Sequence, residues 1–164
     1  MSSLQYTYDP KYGLRIPHVP PKQNPSAKTS PFRSQLPDLS PVFQYELVNC
    51  PGKTLVGLLV KYGPGAATPP HRHGSASVTG YVLSGSLYNK MNDQALEVKH
   101  TGSSWYEAPG CHHRVSANFS NSEPATLLAI FVVDTDVIAR GGLAALTVFD
   151  EEYRHLEPKL SAGH

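Results

Sequence analysis

The chain has 164 residues, of which 40% are apolar and 16% are charged, and its formal net charge is +1. This length and apolar content are typical of one domain with one hydrophobic core. Because the Lys and Arg residues are not clustered, the composition excludes a general nucleic-acid binder. The sequence also has no apolar run of membrane-helix length and no signal-peptide pattern, so we expect a cytoplasmic protein that does not bind membranes.

Residues 1–41 are predicted to form a proline-rich N-terminal arm, because they contain eight of the fifteen prolines. Proline fixes φ and donates no backbone hydrogen bond, so we expect neither a helix nor a central strand there. The arm is either disordered or an extended strap. Four aromatic residues favour the strap, because a disordered tail rarely contains so many. These aromatic residues are Tyr6, Tyr8, Tyr12 and Phe32.

The remainder, residues 42–164, is predicted to form one β-barrel. Short β-branched runs alternate there with turn signals, and strands do not alternate with helices. This pattern predicts an antiparallel sandwich or barrel rather than a doubly wound fold. The charge spacing of residues 150–156 predicts a short C-terminal helix. The predicted strands are residues 43–50, 54–62, 78–83, 86–88, 95–100, 103–107, 113–117, 127–133 and 147–149.

Two histidines, His71 and His73, stand two positions apart after a Pro-Pro pair. In a strand, residues i and i+2 face the same side, so both imidazoles point one way and Arg72 points the other. Two imidazoles on one face can chelate one ion, and neutral imidazole suits Fe, Mn, Ni, Cu and Zn. This pair therefore predicts part of a metal site.

A third histidine ligand is expected from His112 and His113, which follow the turn at Pro109-Gly110. If a strand begins after this turn, His113 shares a face with Val115, and His112 faces the other side. Because Val115 is expected in the core, the pattern favours His113 as the ligand and leaves His112 in solvent.

The spacing of these histidines and of four glycines resembles the two sequence motifs of the cupin superfamily. The first motif reads Gly-x5-His-x-His-x4-Glu-x6-Gly, and the second reads Gly-x5-Pro-x-Gly-x2-His-x3-Asn. The resemblance covers residues 54–133 and implies an all-β, double-stranded β-helix (jelly-roll) barrel with a metal ion inside its mouth. The matching residues are Gly65, His71, His73 and Gly85 in the first motif, and Gly102, Gly110 and His113 in the second.

The sequence departs from the first motif at Val78, which stands where the motif has its glutamate ligand. A neutral three-histidine site remains, unless a carboxylate comes from elsewhere. The segments Gly80–Ser86 and Tyr106–Gly110 further resemble the 2,4'-dihydroxyacetophenone dioxygenase and ChrR-like branch of cupins. In some members of that branch a later Glu is the fourth ligand, but residues 88–93 contain no Glu here.

The resemblance and the open three-histidine site favour a non-haem metal dioxygenase. One divalent ion is expected, with Fe(II) favoured and Mn, Ni, Cu or Zn as alternatives. The expected substrate is a small hydroxyketone, diketone or phenol, with O2 as co-substrate. Glu107 and Tyr81 are the candidate catalytic groups, for metal binding or proton transfer.

Two other functions stay open at this point. The first is a non-redox isomerase, decarboxylase or cyclase, in which the metal acts as a Lewis acid on a small polar metabolite. The second is a non-catalytic small-molecule binder, because cupin folds also serve as regulators and storage proteins. By analogy with other cupins, we expect a homodimer in which the proline-rich arm crosses to the partner.

Overall fold

The computed structural model describes residues 36–157, together with two short strands of the arm. Those strands, β1 (Tyr6–Asp9) and β2 (Leu14–Pro17), pair antiparallel. The side chains of the predicted arm anchors, Tyr6, Tyr8, Tyr12 and Phe32, lie outside the described residues. The other strands are β3 (Asp38–Glu46), β4 (Lys53–Tyr62), β5 (Ala67–Thr68), β6 (His71–Arg72), β7 (Ser77–Ser84), β8 (Ser86–Met91), β9 (Glu97–His100), β10 (Ser104–Glu107), β11 (His113–Asn118), β12 (Ala125–Asp134) and β13 (Val148–Phe149).

Two antiparallel sheets face each other across one core. The first sheet has the strand order β10-β7-β12-β4-β3, and the second has the order β13-β6-β11-β8-β9, with β5 also paired to β11. Residues from both sheets, such as Val56 and Leu87, belong to one buried apolar cluster. The predicted double-stranded β-helix is therefore confirmed.

The central strand β12 shows why this sequence forms such a sheet. Its ten side chains alternate strictly between buried and half-buried, as a strand with one face in a core requires. Its inward residues Leu127, Ala129 and Phe131 belong to the core. β12 pairs with β4 along its whole length and with β7 on its other side, so the inward positions of all three strands form common rows.

Strand β3 begins at Asp38, inside the segment predicted as the arm, and it contains Pro41. β3 lies at the edge of its sheet, where a proline leaves no ladder hydrogen bond unmade. The register with β4 shifts between Pro41 and Phe43. An edge strand tolerates such an irregularity, because only one of its sides is paired.

Three helical segments follow or flank the last strands. The predicted C-terminal helix is confirmed as a 3₁₀ helix over Glu151–Leu156. Helix α1 (Thr135–Gly141) and the 3₁₀ helix Gly142–Leu146 were not predicted. Each is too short to show a clear helical period in the sequence. None of the helices within residues 36–157 has the length and apolar character needed to cross a membrane.

Candidate metal centre

Three histidine side chains converge inside the barrel. His71 lies on β6, His73 follows that strand directly, and His113 begins β11, where it pairs with His71. One ring nitrogen from each lies within 4.8 Å of the others. The rings of His73 and His113 lie 4.7 and 4.9 Å from that of His71, centroid to centroid. The structure thus brings the three predicted ligands together in a group that could hold one metal ion.

His113 enters the barrel through a β-bulge that the sequence did not reveal. The pairing of β11 with β8 shifts between His113 and Val115, so an extra residue is inserted there. As a result, His113 and Ser116 both line the interior cavity, whereas Val115 is buried without lining it. The choice of His113 agrees with the structure, but the strict alternation used to reach it does not hold at the bulge.

The two neighbouring histidines have their ring orientations set by backbone carbonyls. The Nδ1–H of His71 donates to the carbonyl oxygen of Pro69 at 2.7 Å, and that of His73 donates to Leu146 at 2.7 Å. Because a carbonyl oxygen only accepts, each Nδ1 carries the proton and each Nε2 keeps a free lone pair. A hydrogen bond from one ring nitrogen to a backbone carbonyl, with the other ring nitrogen left free, is typical of metal-binding histidines.

Glu107 places a carboxylate against the histidines. Its Oε1 lies 3.2 Å from Nδ1 of His113, and its Oε2 lies 3.4 Å from Nε2 of His73. Glu107 is only 3% exposed. The structure therefore brings this predicted site residue to the three imidazoles, with one carboxylate oxygen near each of two rings.

The position of Glu107 explains how the barrel accommodates Val78. Glu107 on β10 is the direct cross-strand partner of Val78 on β7. Directly opposed residues on neighbouring strands share a face, about 5 Å apart. The adjacent strand thus places a carboxylate beside the position where the first motif has its glutamate. The sequence left open whether a carboxylate would join the three imidazoles from elsewhere, and in the structure Glu107 lies against two of them.

Trp105 orients this carboxylate, a role that the sequence analysis missed. The indole Nε1–H donates to Oε1 of Glu107 at 2.9 Å. Trp105 and Glu107 are two residues apart on β10 and share its inward face. The indole fits there because its cross-strand partner is Gly80, where an added Cβ would lie 2.4 Å from the indole ring. The Trp-x-Glu spacing opposite a strand glycine was the signal in the sequence.

Several buried polar atoms of this cluster lack a hydrogen-bond partner of acceptable geometry. Within residues 36–157 they are Oε2 of Glu107 and both ring nitrogens of His113, together with Oδ1 of Asn89 elsewhere in the barrel. Buried polar atoms are nearly always paired, so such a concentration requires an explanation. A divalent ion held by imidazole and carboxylate donors supplies one, and the residues present fit that group.

The protonation states also suit a cation. Burial and the neighbouring rings of His73 and His113 hold the pKa of His71 well below its usual value, and burial lowers the pKa of His73. Burial alone would raise the pKa of Glu107, but contacts with His113, His73 and Trp105 outweigh it and lower that pKa to about 2. Near neutral pH, the cluster therefore presents neutral imidazoles at His71 and His73 beside one carboxylate.

An apolar cavity of about 90 Å3 opens onto these groups. Its volume limits any ligand to a small molecule. Among the described residues, neither Lys nor Arg lines it, so its charged group is the carboxylate of Glu107. The apolar lining residues are Leu36, Pro37, Leu39, Leu58, Val60, Val78, Trp105, Leu127, Ala129, Phe131 and Phe149.

Two other candidates from the sequence lie away from this cavity. Tyr81 projects from the outer face of β7 and is 41% exposed, so its position gives no support to the predicted catalytic role. The reason is strand alternation: the inward positions of β7 belong to Val78, Gly80 and Val82. His112 is half-buried rather than solvated, with its Nε2 lying 3.0 Å from Oδ2 of Asp150.

Comparisons with known proteins agree with this architecture. The Cupin domain family model matches residues 58–131. The cupin domain of Cnp3 from Schizosaccharomyces pombe is similar in structure, with a TM-score of 0.52 at 15% identity over 85% of this chain and 87% of that chain. The fold is that of a cupin. None of the curated proteins is a significant match to the chain.

Two further solved structures are similar to this chain. TT1209 from Thermus thermophilus matches with a TM-score of 0.50 at 24% identity, over 62% of this chain and 88% of that chain. The DMSP lyase DddQ from Ruegeria pomeroyi matches with a TM-score of 0.52 at 16% identity, over 79% of this chain and 58% of that chain. At these identities the likeness shows the cupin fold alone.

Proposed function

We propose that this protein is a mononuclear metal-dependent enzyme, an Fe(II) dioxygenase of a small hydroxyketone, diketone or phenol. The observation that supports it is the convergence of His71, His73 and His113, whose ring nitrogens lie within 4.8 Å of one another, beside the carboxylate of Glu107. One divalent ion would take one ring nitrogen of His113 and Oε2 of Glu107, two of the buried atoms that have no hydrogen-bond partner within residues 36–157. When bound, such an ion supplies Lewis acidity toward substrate oxygens and, as iron, electron transfer to O2.

The chain's own residues define what can react there. The carbonyls of Pro69 and Leu146 orient two of the imidazoles, and Trp105 orients the carboxylate. The apolar walls exclude bulk water and admit a nonpolar gas such as O2. Without a Lys or Arg among the described lining residues, the cavity disfavours phosphorylated substrates and favours a small neutral oxygenated molecule.

Metal content tests the ligand set directly. We expect His113→Ala to lose most of the bound metal, because it removes a ligand from the centre. His112→Ala is the matched control, because His112 is the next residue along the chain and its ring contacts Asp150 outside the cavity. Elemental analysis of both purified variants after loading with Fe(II) measures the outcome. Metal retained by His113→Ala and lost by His112→Ala would contradict the assignment.

A second function is a non-redox isomerase, decarboxylase or cyclase. It is favoured by Oε2 of Glu107, which has no hydrogen-bond partner within residues 36–157 and could take up a proton from a substrate. The two functions differ in whether oxygen is consumed.

Oxygen dependence separates these reactions. We expect the iron-loaded protein to consume O2 with at least one of acetylacetone, hydroxyacetone and catechol, and to form no product under argon. An oxygen electrode and product analysis in both atmospheres provide the measurement. Equal turnover under argon would favour the non-redox function, and no turnover of any of the three would exclude this substrate class.

A further inference from the structure

Three hydroxyl groups form a second polar cluster in the cavity wall, which we call the hydroxyl cluster. It consists of Tyr62 at the end of β4, Thr68 on β5 and Ser116 on β11. The hydroxyl oxygen of Tyr62 lies 2.9 Å from Oγ1 of Thr68 and 2.8 Å from Oγ of Ser116. All three residues line the cavity, and Tyr62 and Ser116 are buried.

The hydroxyl cluster has one more proton than its internal contacts can use. Each of the three hydroxyls carries one donor proton, and each of the two oxygen–oxygen contacts uses one. Within residues 36–157, these two contacts are the side-chain hydrogen bonds that the three hydroxyls make. One O–H is therefore left to donate. Burial raises the pKa of Tyr62, so its phenol stays protonated at neutral pH.

The hydroxyl cluster and the histidines lie along one strand, β11, and the two short strands β5 and β6 that pair with it. On β11, Ser116 pairs with Thr68, and three residues earlier His113 pairs with His71. The bulge between them turns both side chains to the cavity. At about 3.3 Å per residue, the two polar groups are separated by on the order of 7–10 Å. A molecule of a few carbons can reach from one to the other.

The chemistry of the hydroxyl cluster selects a neutral acceptor. It has no charge, and the walls between it and the histidines are apolar. An anionic group held there would lose its hydration without gaining a cationic partner, which is costly in a cavity of this kind. A ketone, ether or phenol oxygen needs only one donated hydrogen bond.

We infer that the hydroxyl cluster is a substrate-binding subsite that donates a hydrogen bond to a neutral oxygen of a small, bifunctional ligand. The other oxygen of that ligand faces the histidines and Glu107. This inference rests on the proposed function for the identity of the reacting end. The binding of a neutral oxygen at the hydroxyl cluster is independent of any metal.

A pair of probes with the same shape tests the subsite. Cyclopentanone carries an acceptor oxygen, and methylenecyclopentane replaces it with a CH2 group. Binding of both to the chelator-treated wild-type protein is measured by NMR titration. We expect cyclopentanone to bind about five-fold more tightly, the effect of one net hydrogen bond. The triple variant Tyr62→Phe/Thr68→Val/Ser116→Ala removes all three hydroxyls and should reduce this preference towards one, and circular dichroism checks that the variant is folded.

Every outcome of this titration bears on the inference. An undiminished preference for the ketone in the folded triple variant would overturn the inference, as would no preference in the wild type or no binding of either probe. If the triple variant does not fold, the wild-type titration decides, because cyclopentanone bound at the hydroxyl cluster must shift the backbone amide signals of Thr68 and Ser116, and unshifted signals would overturn the inference. Because metal is absent throughout this titration, metal retained by His113→Ala and lost by His112→Ala would overturn the proposed function and leave this subsite standing.

Discussion

At the scale of single residues, the candidate centre depends on a series of contacts that runs from Gly80 through Trp105 and Glu107 to the histidines. The glycine at position 80 leaves space for the indole of Trp105, and the indole donates to the carboxylate. The carboxylate in turn lies against His73 and His113. Each contact fixes the next, so that Trp105, which does not touch the histidines through this contact, controls the position of the carboxylate that does.

Substitution of Trp105 by Phe tests this dependence. The variant keeps an aromatic ring on Gly80 but removes the donor to Glu107, so we expect metal affinity to fall roughly 10- to 100-fold. Tyr106→Phe is the matched control, because it removes one polar hydrogen from the next residue of β10, whose side chain is 61% exposed. Competition with a metal-sensitive dye measures both. Equal affinities in the two variants would show that Trp105 does not position Glu107.

At the scale of elements, the pairing of β7 with β10 determines where the carboxylate stands. The inward row Glu107–Val78 continues across the sheet to Phe131 on β12, and Phe131 packs against the ring of His73 at 5.2 Å. The next inward row joins Trp105 and Gly80. A substitution in the row of Trp105 and Gly80 is therefore expected to shift Glu107, although it replaces none of the three histidines or Glu107.

Gly80→Val is expected to disturb that row. Its side chain would collide with the indole of Trp105, so we expect the free energy of unfolding to fall by about 1–3 kcal/mol and metal affinity to fall with it. Thr79→Val adds the same side chain on the outward face of the same strand and should change both quantities little. Urea unfolding and dye competition give the two readouts. A metal affinity unchanged in Gly80→Val would contradict the coupling.

At the scale of the whole molecule, the outer face of the five-stranded sheet carries cross-strand rows of uncharged residues, many of them with apolar side chains. One row runs from Tyr106 through Thr79 and Ile130 to Phe43, which covers Gly57. In the adjacent row, Tyr81 on β7 pairs with Leu128 on β12, and Leu128 pairs with Leu59 on β4. Neither row contains a charged residue. We propose that this face contributes to the homodimer that is expected by analogy with other cupins.

Dimer formation through this face is testable in solution. We expect light scattering to give twice the mass of the chain, and Tyr81→Arg at the middle of the face to shift the mass towards that of a monomer. Gln94→Arg, in the exposed turn after β8, adds the same charge elsewhere and should not change the mass. A monomeric wild type, or a dimer unaffected by Tyr81→Arg, would contradict this interface.

The sequence by itself determined the barrel and its histidines. Strand periodicity and glycine turns act locally, and the spacing of His71 and His73 needs only the geometry of one strand. The same local reasoning located Glu107 beside the turn at Pro109-Gly110, without showing which way its side chain points.

The tertiary structure decided the features that depend on partners distant in the chain. The opposition of Glu107 to Val78 depends on the register of β10 against β7, and the inward turn of His113 depends on a bulge against β8. The outward position of Tyr81, by contrast, follows from alternation along β7 alone. Register is a relation between two segments, so no pattern within either segment contains it. For this reason, the sequence left open whether a carboxylate joins the three imidazoles, whereas the folded chain places Glu107 against two of them.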